Sequence, residues 1–78
     1  MQEFKVSLHS FEQVREFVKI ASLQTFPIAV GNEQQIIDGT DLMGMFSLDY
    51  SRPLIVRPDC TPEEFSFFRR NVAKFLAQ

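Results

Sequence analysis

The alternation of apolar and polar residues along the chain predicts an α+β fold. From Phe4 to Leu8 apolar and polar side chains alternate, which is the period of a strand with one buried face. The period then changes to three and four residues and predicts a helix from about Ser10 to Ser22, with Ser10 and Gln13 at the spacing of a capping box. The stripe facing the core should comprise Phe11, Val14, Phe17, Val18 and Ala21.

The middle of the chain predicts a hairpin followed by a short helical segment. Two apolar runs, Pro27 to Val30 and Gln35 to Asp38, flank a Gly-Asn-Glu-Gln loop that contains residues tolerant of positive φ. The segment from Leu42 to Leu48 is too short and glycine-interrupted for an independent helix, yet its apolar residues fall at helical spacing. One or two helical turns are expected there.

The last third predicts an inner strand and a well-capped helix. Leu54 to Val56 is a continuous apolar run that should stop before Pro58 and Asp59. Thr61, Pro62 and Glu64 give the next helix an N-cap, a proline at its first position and a capping box. Its apolar stripe should comprise Phe65, Phe68, Val72, Phe75 and Leu76. This order of elements predicts three helices on one face of a four-stranded, mostly antiparallel sheet, which is an open-faced sandwich.

Composition narrows the classes of function. The chain has 78 residues, 45% of them hydrophobic, which is typical of a small folded domain rather than a disordered segment. A net charge of −2 without a basic stripe argues against nucleic acid as a partner. A lone Cys60 cannot form an internal disulfide or a cysteine metal cluster, so we expect a reducing, cytoplasmic setting and no cofactor. No apolar run approaches the roughly 20 residues that cross a bilayer, so no membrane association is expected.

The segment from Ile37 to Leu48 reads Ile-Asp-Gly-Thr-Asp-Leu-Met-Gly-Met-Phe-Ser-Leu. It resembles the regulatory segment of HPr, the histidine-containing phosphocarrier of the bacterial sugar phosphotransferase system, in which a strand runs into a short helix. The Phe17-Val18-Lys19 turn of the first helix also looks like sequence of that family. The resemblance implies a single HPr-like domain over residues 1–78, with the order βαββαβα. It also implies protein partners and no enzymatic activity.

The phosphorylation site of that family is altered in this chain. In the family a Gly-Leu/Ile-His-Ala/Thr-Arg-Pro motif opens the first helix, and free amides and the arginine stabilise phosphate on the histidine. One alignment puts His9, the only histidine, at the phosphorylated position. The other, which we prefer because it preserves the capping box and the helix phase, puts Ser10 there. Neither alignment supplies the arginine, and both place Glu12 beside the site.

These substitutions predict a protein that is unable to carry phosphate. The simplest interpretation of His9 is an exposed residue at a strand end, and that of Ser10 is a helix cap. No carboxylate that could orient a Ser-His pair is visible nearby. An active phosphocarrier using His9 remains an alternative hypothesis, as does a regulatory domain that binds a small ligand.

Asp41 stands where the resemblance implies the serine that a regulatory kinase phosphorylates. It is interpreted first as an N-cap of the short helix, where a carboxylate accepts from free amides. It could also imitate phosphoserine permanently, supplying a charge of −1 in place of about −1.5 to −2, and so dock on an arginine-bearing partner. Metal binding by Asp38 with Asp41 is a weak hypothesis, because two acids without further oxygen ligands rarely hold Mg²⁺ or Ca²⁺.

The expected contact surface lies at the start of the first helix and along the short helix. Leu42, Met45 and Phe46 suit the core, whereas Met43, with Phe46 or Tyr50, is the candidate for exposure. Arg69, Arg70 and Lys74 should form the solvated face of the last helix. The predicted interaction face therefore consists of Ser10, Gln13, Asp41, Met43 and Phe46.

Overall fold

The computed structural model describes residues 2–77 and contains a four-stranded sheet with three helices packed on one face. The strands and helices are β1 (Phe4–Val6), α1 (Phe11–Ser22), β2 (Ile28–Gly31), β3 (Ile36–Asp38), α2 (Leu42–Ser47), β4 (Leu54–Pro58) and α3 (Pro62–Asn71), followed by a 3-10 turn at Ala73–Phe75. The strand order is β1-β4-β2-β3, and every pairing is antiparallel. The predicted α+β open-faced sandwich and its order of elements are confirmed.

The alternation in β1 and β4 divides the sheet into a core face and an open face. In β1, Phe4 and Val6 are buried while Lys5 is exposed, and in β4 the buried Leu54 and Val56 alternate with less buried neighbours. Burying one such side chain is worth about 1.5 to 3 kcal/mol, so the apolar face fixes which side of the sheet receives the helices. The helices contribute the buried residues Val14, Phe17, Val18, Ala21, Met45 and Phe68, and Val72 follows directly after α3.

Aromatic side chains join α3 to the rest of the core around Phe68. The Phe68 ring lies 5.9 Å from Phe4, 6.3 Å from Phe17 and 6.0 Å from Phe26, measured between ring centroids. These tilted and edge-on geometries are the favourable arrangements for aromatic pairs. A sheet residue, a helix residue and a loop residue therefore meet on one side chain of α3.

Several predicted elements have limits that differ from those observed, and β1, β4 and α3 differ most. β1 ends at Val6 rather than Leu8, because its pairing with β4 stops where Val6 faces Leu54, the first residue of β4. Beyond that point the Ser7 amide donates to the Phe75 carbonyl (2.7 Å). The Ala77 amide donates to the Lys5 carbonyl (3.0 Å), so the C-terminal segment covers the outer edge of β1. β4 extends to Pro58, and α3 ends at Asn71 before its stripe continues into the 3-10 turn.

The predicted β2–β3 hairpin is confirmed, but its turn does not use positive φ. No residue within 2–77 has a positive φ. The Asn32 side-chain oxygen instead accepts from the amides of Gln34 (2.9 Å) and Gln35 (3.0 Å), and the Asn32 amide donates to the Gln35 carbonyl (2.9 Å). Glycine is required at position 31 because the two strands approach closely there, and a Cβ would overlap the carbonyl oxygen of Gln35.

The assignment of Phe11 to the core was wrong. Val14, Phe17, Val18 and Ala21 are buried as predicted, but the Phe11 side chain is 55% exposed. Phe46 of α2 packs against the core and also stacks on Phe11. The Phe11 ring therefore lies on Phe46 rather than among the buried side chains, a contact between distant segments that helical spacing cannot reveal.

Candidate functional site

Two hydrogen bonds between side chains and backbone amides stabilise the N-terminus of α1. The Ser10 hydroxyl accepts from the Gln13 amide (3.2 Å), which confirms the predicted N-cap. The Gln13 side-chain oxygen accepts from the His9 amide (2.8 Å), one residue earlier than the predicted capping box requires. Ser10 therefore acts as a cap in this structure, and Gln13 ties the chain before the helix to its first turn.

His9 is exposed and lies in an open depression of about 500 Å³. The depression is also lined by Leu8, Leu48, Asp49, Tyr50 and Ser51. The Ser51 hydroxyl and amide both donate to the Asp49 carboxylate, which lowers the pKa of Asp49, with a smaller contribution from the charge of Arg52. Among the side chains that line the depression there is an acid but no lysine or arginine.

The first turn of α1 carries the acidic Glu12 and no arginine. A phosphoryl group needs positive partners or free amides, and a neighbouring carboxylate opposes it. The first basic residue of the helix is Arg15, one turn further along. The surroundings of His9 therefore differ in charge from the arginine-bearing site that the resemblance implies for a phosphocarrier.

Phe11 and Phe46 form a stacked aromatic pair between α1 and α2. Their ring centroids lie 4.3 Å apart, and the ring planes differ by 10°. Phe46 is half-buried against the core, whereas Phe11 is more than half exposed. The contact brings the first residue of α1 to the last turn of α2 and leaves an aromatic surface facing solvent.

The short helix α2 divides its apolar residues between core and surface. Met45 is fully buried, and Leu42 is half-buried against the core. Met43 is 76% exposed, which confirms its predicted exposure. Met43 and Phe46 are three residues apart in the helix and therefore lie on neighbouring positions of its surface.

Asp41 caps α2 as predicted. Its carboxylate accepts from the Gly44 amide (3.1 Å), and the Asp41 backbone has the extended conformation of an N-cap. Asp38 is engaged separately, because its carboxylate accepts from the amide (2.9 Å) and the hydroxyl (2.8 Å) of Thr40. These two hydrogen bonds lower the pKa of Asp38. Within residues 2–77 no group of three His, Cys, Asp or Glu side chains is arranged to hold a metal ion.

We call the surface formed by Phe11, Gln13, Met43 and Phe46, with the caps Ser10 and Asp41, the α1–α2 face. The structure joins its two helices through Phe11 and Phe46, whereas Asp41 lies at the opposite end of α2 from Phe46. Sequence reasoning missed Phe11, since its position in the apolar stripe indicated the core. The one signal of its exposure in the sequence was its position as the first residue of the helix, before the buried turns.

Two further observations concern the helices and the cysteine of the described chain. None of the helices within 2–77 is long and apolar enough to cross a bilayer. The Cys60 thiol has a raised pKa, because it is partly buried and lies near the carboxylates of Glu64 and Asp59. A raised pKa makes a thiol a weaker nucleophile at neutral pH.

Comparison with known proteins identifies the fold. No model of a known protein family matches the sequence, and no curated protein sequence matches it. Among solved structures, the chain is similar to the crystal structure of HPr-C-His from Thermoanaerobacter tengcongensis, with a TM-score of 0.73 and 20% sequence identity. The similarity covers 95% of this chain and 92% of that one. The protein therefore has the HPr fold, as its sequence resemblance predicted.

Proposed function

We propose that this protein is an HPr-like member of the phosphotransferase system that binds a protein partner through the α1–α2 face and does not carry phosphate. The observation that supports the proposal is the stack of the exposed Phe11 on the half-buried Phe46, about one helical turn from the exposed Met43. Aromatic and methionine side chains are enriched in protein interfaces, where they fill pockets of the partner. A small domain gains no stability from leaving such side chains in water.

The charges near the histidine support the loss of phosphate transfer. Glu12 lies in the first turn of α1, and Asp49 lines the depression that contains His9. A phosphoryl group on His9 would add further negative charge near these acids, and neither the first turn of α1 nor the lining of the depression contains an arginine. The Ser10 hydroxyl, the other candidate acceptor, caps the helix by accepting from the Gln13 amide.

The charge of the α1–α2 face indicates the chemistry of its partner. Asp41 supplies a permanent negative charge at the start of α2, and Glu12 supplies another at the start of α1. A partner that complements this surface would offer an apolar pocket for Phe11 and Met43, bordered by arginine or lysine. Asp41 would then serve in place of a regulatory phosphoserine, and the interaction would need no kinase.

Phosphate transfer is tested directly. The purified protein is incubated with the phosphoenolpyruvate-dependent first enzyme of the phosphotransferase system and labelled phosphoenolpyruvate, with an active HPr as the positive control. We expect no acid-labile label on this chain. Label that appears on the wild type and disappears in His9→Ala would show a working phosphocarrier and overturn the proposal.

The contact face is tested by partner capture and titration. Candidate phosphotransferase and regulatory proteins of the source organism are screened for binding, and NMR shift changes then map the surface used. Phe11→Ala and Met43→Ala should each weaken binding by more than about 1 kcal/mol, as expected for anchor residues. Arg69→Ala, on the exposed surface of α3, is the matched control. Loss of binding in Arg69→Ala alone would place the interface elsewhere.

A further inference from the structure

The exposed surface of α3 carries a stripe that is separate from the α1–α2 face. Glu63, Ser66, Phe67 and Arg70 are all exposed, and they border one shallow depression together with Pro62. Their spacing of three, four and seven residues places them along one side of the helix. The Phe67 side chain is 59% exposed in the middle of this stripe. We call these four residues the α3 stripe.

The charges at the two ends of the α3 stripe have no opposite partners along the helix. The residues at pairing distance from Glu63, three and four positions later, are the uncharged Ser66 and Phe67. The same two residues lie four and three positions before Arg70, so neither charge meets an opposite one between them. The ion pairs found within residues 2–77 join Arg57 to Glu3 and Lys74 to Glu16, so they involve neither end of the stripe. Glu63 and Arg70 are about 10 Å apart along the axis at 1.5 Å per residue, too far to pair with each other.

The α3 stripe is self-complementary in an antiparallel arrangement. A two-fold axis between Ser66 and Phe67 would place Glu63 of one copy opposite Arg70 of the other, because both lie about 5 Å from the axis. The same axis would place each Phe67 ring over the small side chain of Ser66 in the other copy. A large residue opposite a small one lets two helices approach closely, and the two charged ends repeat the same ion pair.

A second apolar side chain adds to this surface. Leu23, which follows α1, is 75% exposed and borders a groove that also includes Phe67 and Glu63. Leu23 and Phe67 are two of the five exposed large apolar residues of the described chain, and both line this groove. Exposed apolar residues that adjoin in this way mark a protein contact more often than isolated ones do.

We infer that the α3 stripe binds a second copy of this chain and forms a two-fold symmetric, antiparallel α3–α3 dimer. Phe67 is the central anchor, and Glu63 pairs with Arg70 of the other copy at both ends. The dimer is weak, because a stable interface buries about 800 Å² per partner and one side of a 10-residue helix with Leu23 offers less. It leaves the α1–α2 face free, so it does not depend on the proposed function.

The experiment measures self-association by sedimentation equilibrium from about 20 µM to about 2 mM, a range suited to a weak complex. We expect the wild type to associate with increasing concentration, and Phe67→Ala to remain monomeric. Glu63→Arg gives the stripe two positive ends, and Arg70→Glu gives it two negative ends. Each of these single variants should self-associate at least about tenfold more weakly than the wild type, because attraction at both ends becomes repulsion.

Mixing the two charge variants tests the geometry itself. In a 1:1 mixture each copy of Glu63→Arg meets opposite charges at both ends of Arg70→Glu, so the mixture should regain the association that each variant loses alone. Far-ultraviolet circular dichroism and melting curves verify that both variants remain folded. A wild type that is monomeric throughout the concentration range would overturn the inference. Charge variants that associate like the wild type, or a mixture that gains nothing, would do so equally.

Discussion

The Asp41 carboxylate and Gly44 are fitted to each other at the start of α2. One carboxylate oxygen accepts from the Gly44 amide at 3.1 Å. The other oxygen occupies the space beside the Gly44 Cα, where an added Cβ would lie only 2.6 Å away. The glycine therefore makes room for the cap, although glycine inside a helix costs about 1 kcal/mol relative to alanine.

This relationship predicts that substitutions at the two positions are not additive. Gly44→Ala in the wild type should fail to stabilise the protein, because the new Cβ displaces the capping carboxylate. In an Asp41→Ala background the same change should stabilise it by up to about 1 kcal/mol, since no carboxylate remains to be displaced. Urea denaturation of the wild type, the two single variants and the double variant measures the coupling energy between positions 41 and 44. Equal effects of Gly44→Ala in both backgrounds would contradict the fitted arrangement.

The capping role of Asp41 predicts an order among its substitutions. Asp41→Ala should lower the free energy of unfolding by about 1 kcal/mol, whereas Asp41→Ser and Asp41→Asn should be close to neutral. All three polar residues can accept the Gly44 amide hydrogen bond, and alanine cannot. The measurement is chemical denaturation at neutral pH. If Ser, Asn and Ala destabilise equally, the charge of Asp41 rather than its hydrogen bond stabilises the helix.

The exposure of Phe11 predicts a small effect of its loss on stability. Phe11→Ala should cost about 1 kcal/mol, the scale of one partly exposed aromatic contact. Phe17→Ala in the same helix should cost about 3 to 5 kcal/mol, because Phe17 is fully buried and its removal leaves a cavity. Thermal and urea unfolding of both variants provide the comparison. Similar losses for the two would place Phe11 in the core after all.

Gly31 is expected to be intolerant of substitution for a reason unrelated to positive φ. A Cβ at this position overlaps the backbone carbonyl of Gln35, so Gly31→Ala should separate β2 from β3 at the turn. We expect a loss of about 1 to 3 kcal/mol, as for other overpacked sites. Gly39→Ala is a useful contrast, since its closest contacts are with side chains of Ile28 and Val30. Hydrogen exchange should localise the change in Gly31→Ala to residues 30–37.

The lowered pKa of Asp38 predicts that this residue contributes to the loss of stability at acid pH. The Thr40 amide and hydroxyl hold the pKa of Asp38 below its ordinary value, so the charged form stabilises the folded state. That contribution is fully present above the unfolded pKa and is lost as the pH falls through the lower folded value. Asp38→Asn should therefore show a shallower loss of stability below about pH 4 than the wild type. Glu33→Gln controls for net charge, and identical acid profiles for Asp38→Asn and the wild type would refute the assignment.

The sequence by itself determined the elements and their faces. Period-2 alternation in β1, period-3.6 spacing in α1 and α3, and the caps Ser10, Asp41 and Thr61 are local features. The elements and caps that they predict were observed, although β1 is shorter than predicted and Phe11 is exposed. The order of these elements predicted the open-faced sandwich, and the resemblance of the segment from Ile37 to Leu48 agreed with it. Local geometry suffices for these features because helix caps and strand faces depend on residues within a few positions of one another.

Only the tertiary structure decided what happens where distant segments meet. Phe11 lies outside the predicted core, and its ring stacks on Phe46, which is 35 residues later in the chain. β1 ended at Val6, where its pairing with β4 stops, and Asp49 from the loop after α2 lines the depression that contains His9. Periodicity carries no information about such long-range contacts, since they depend on how whole elements pack. The site differs from its sequence prediction for that reason.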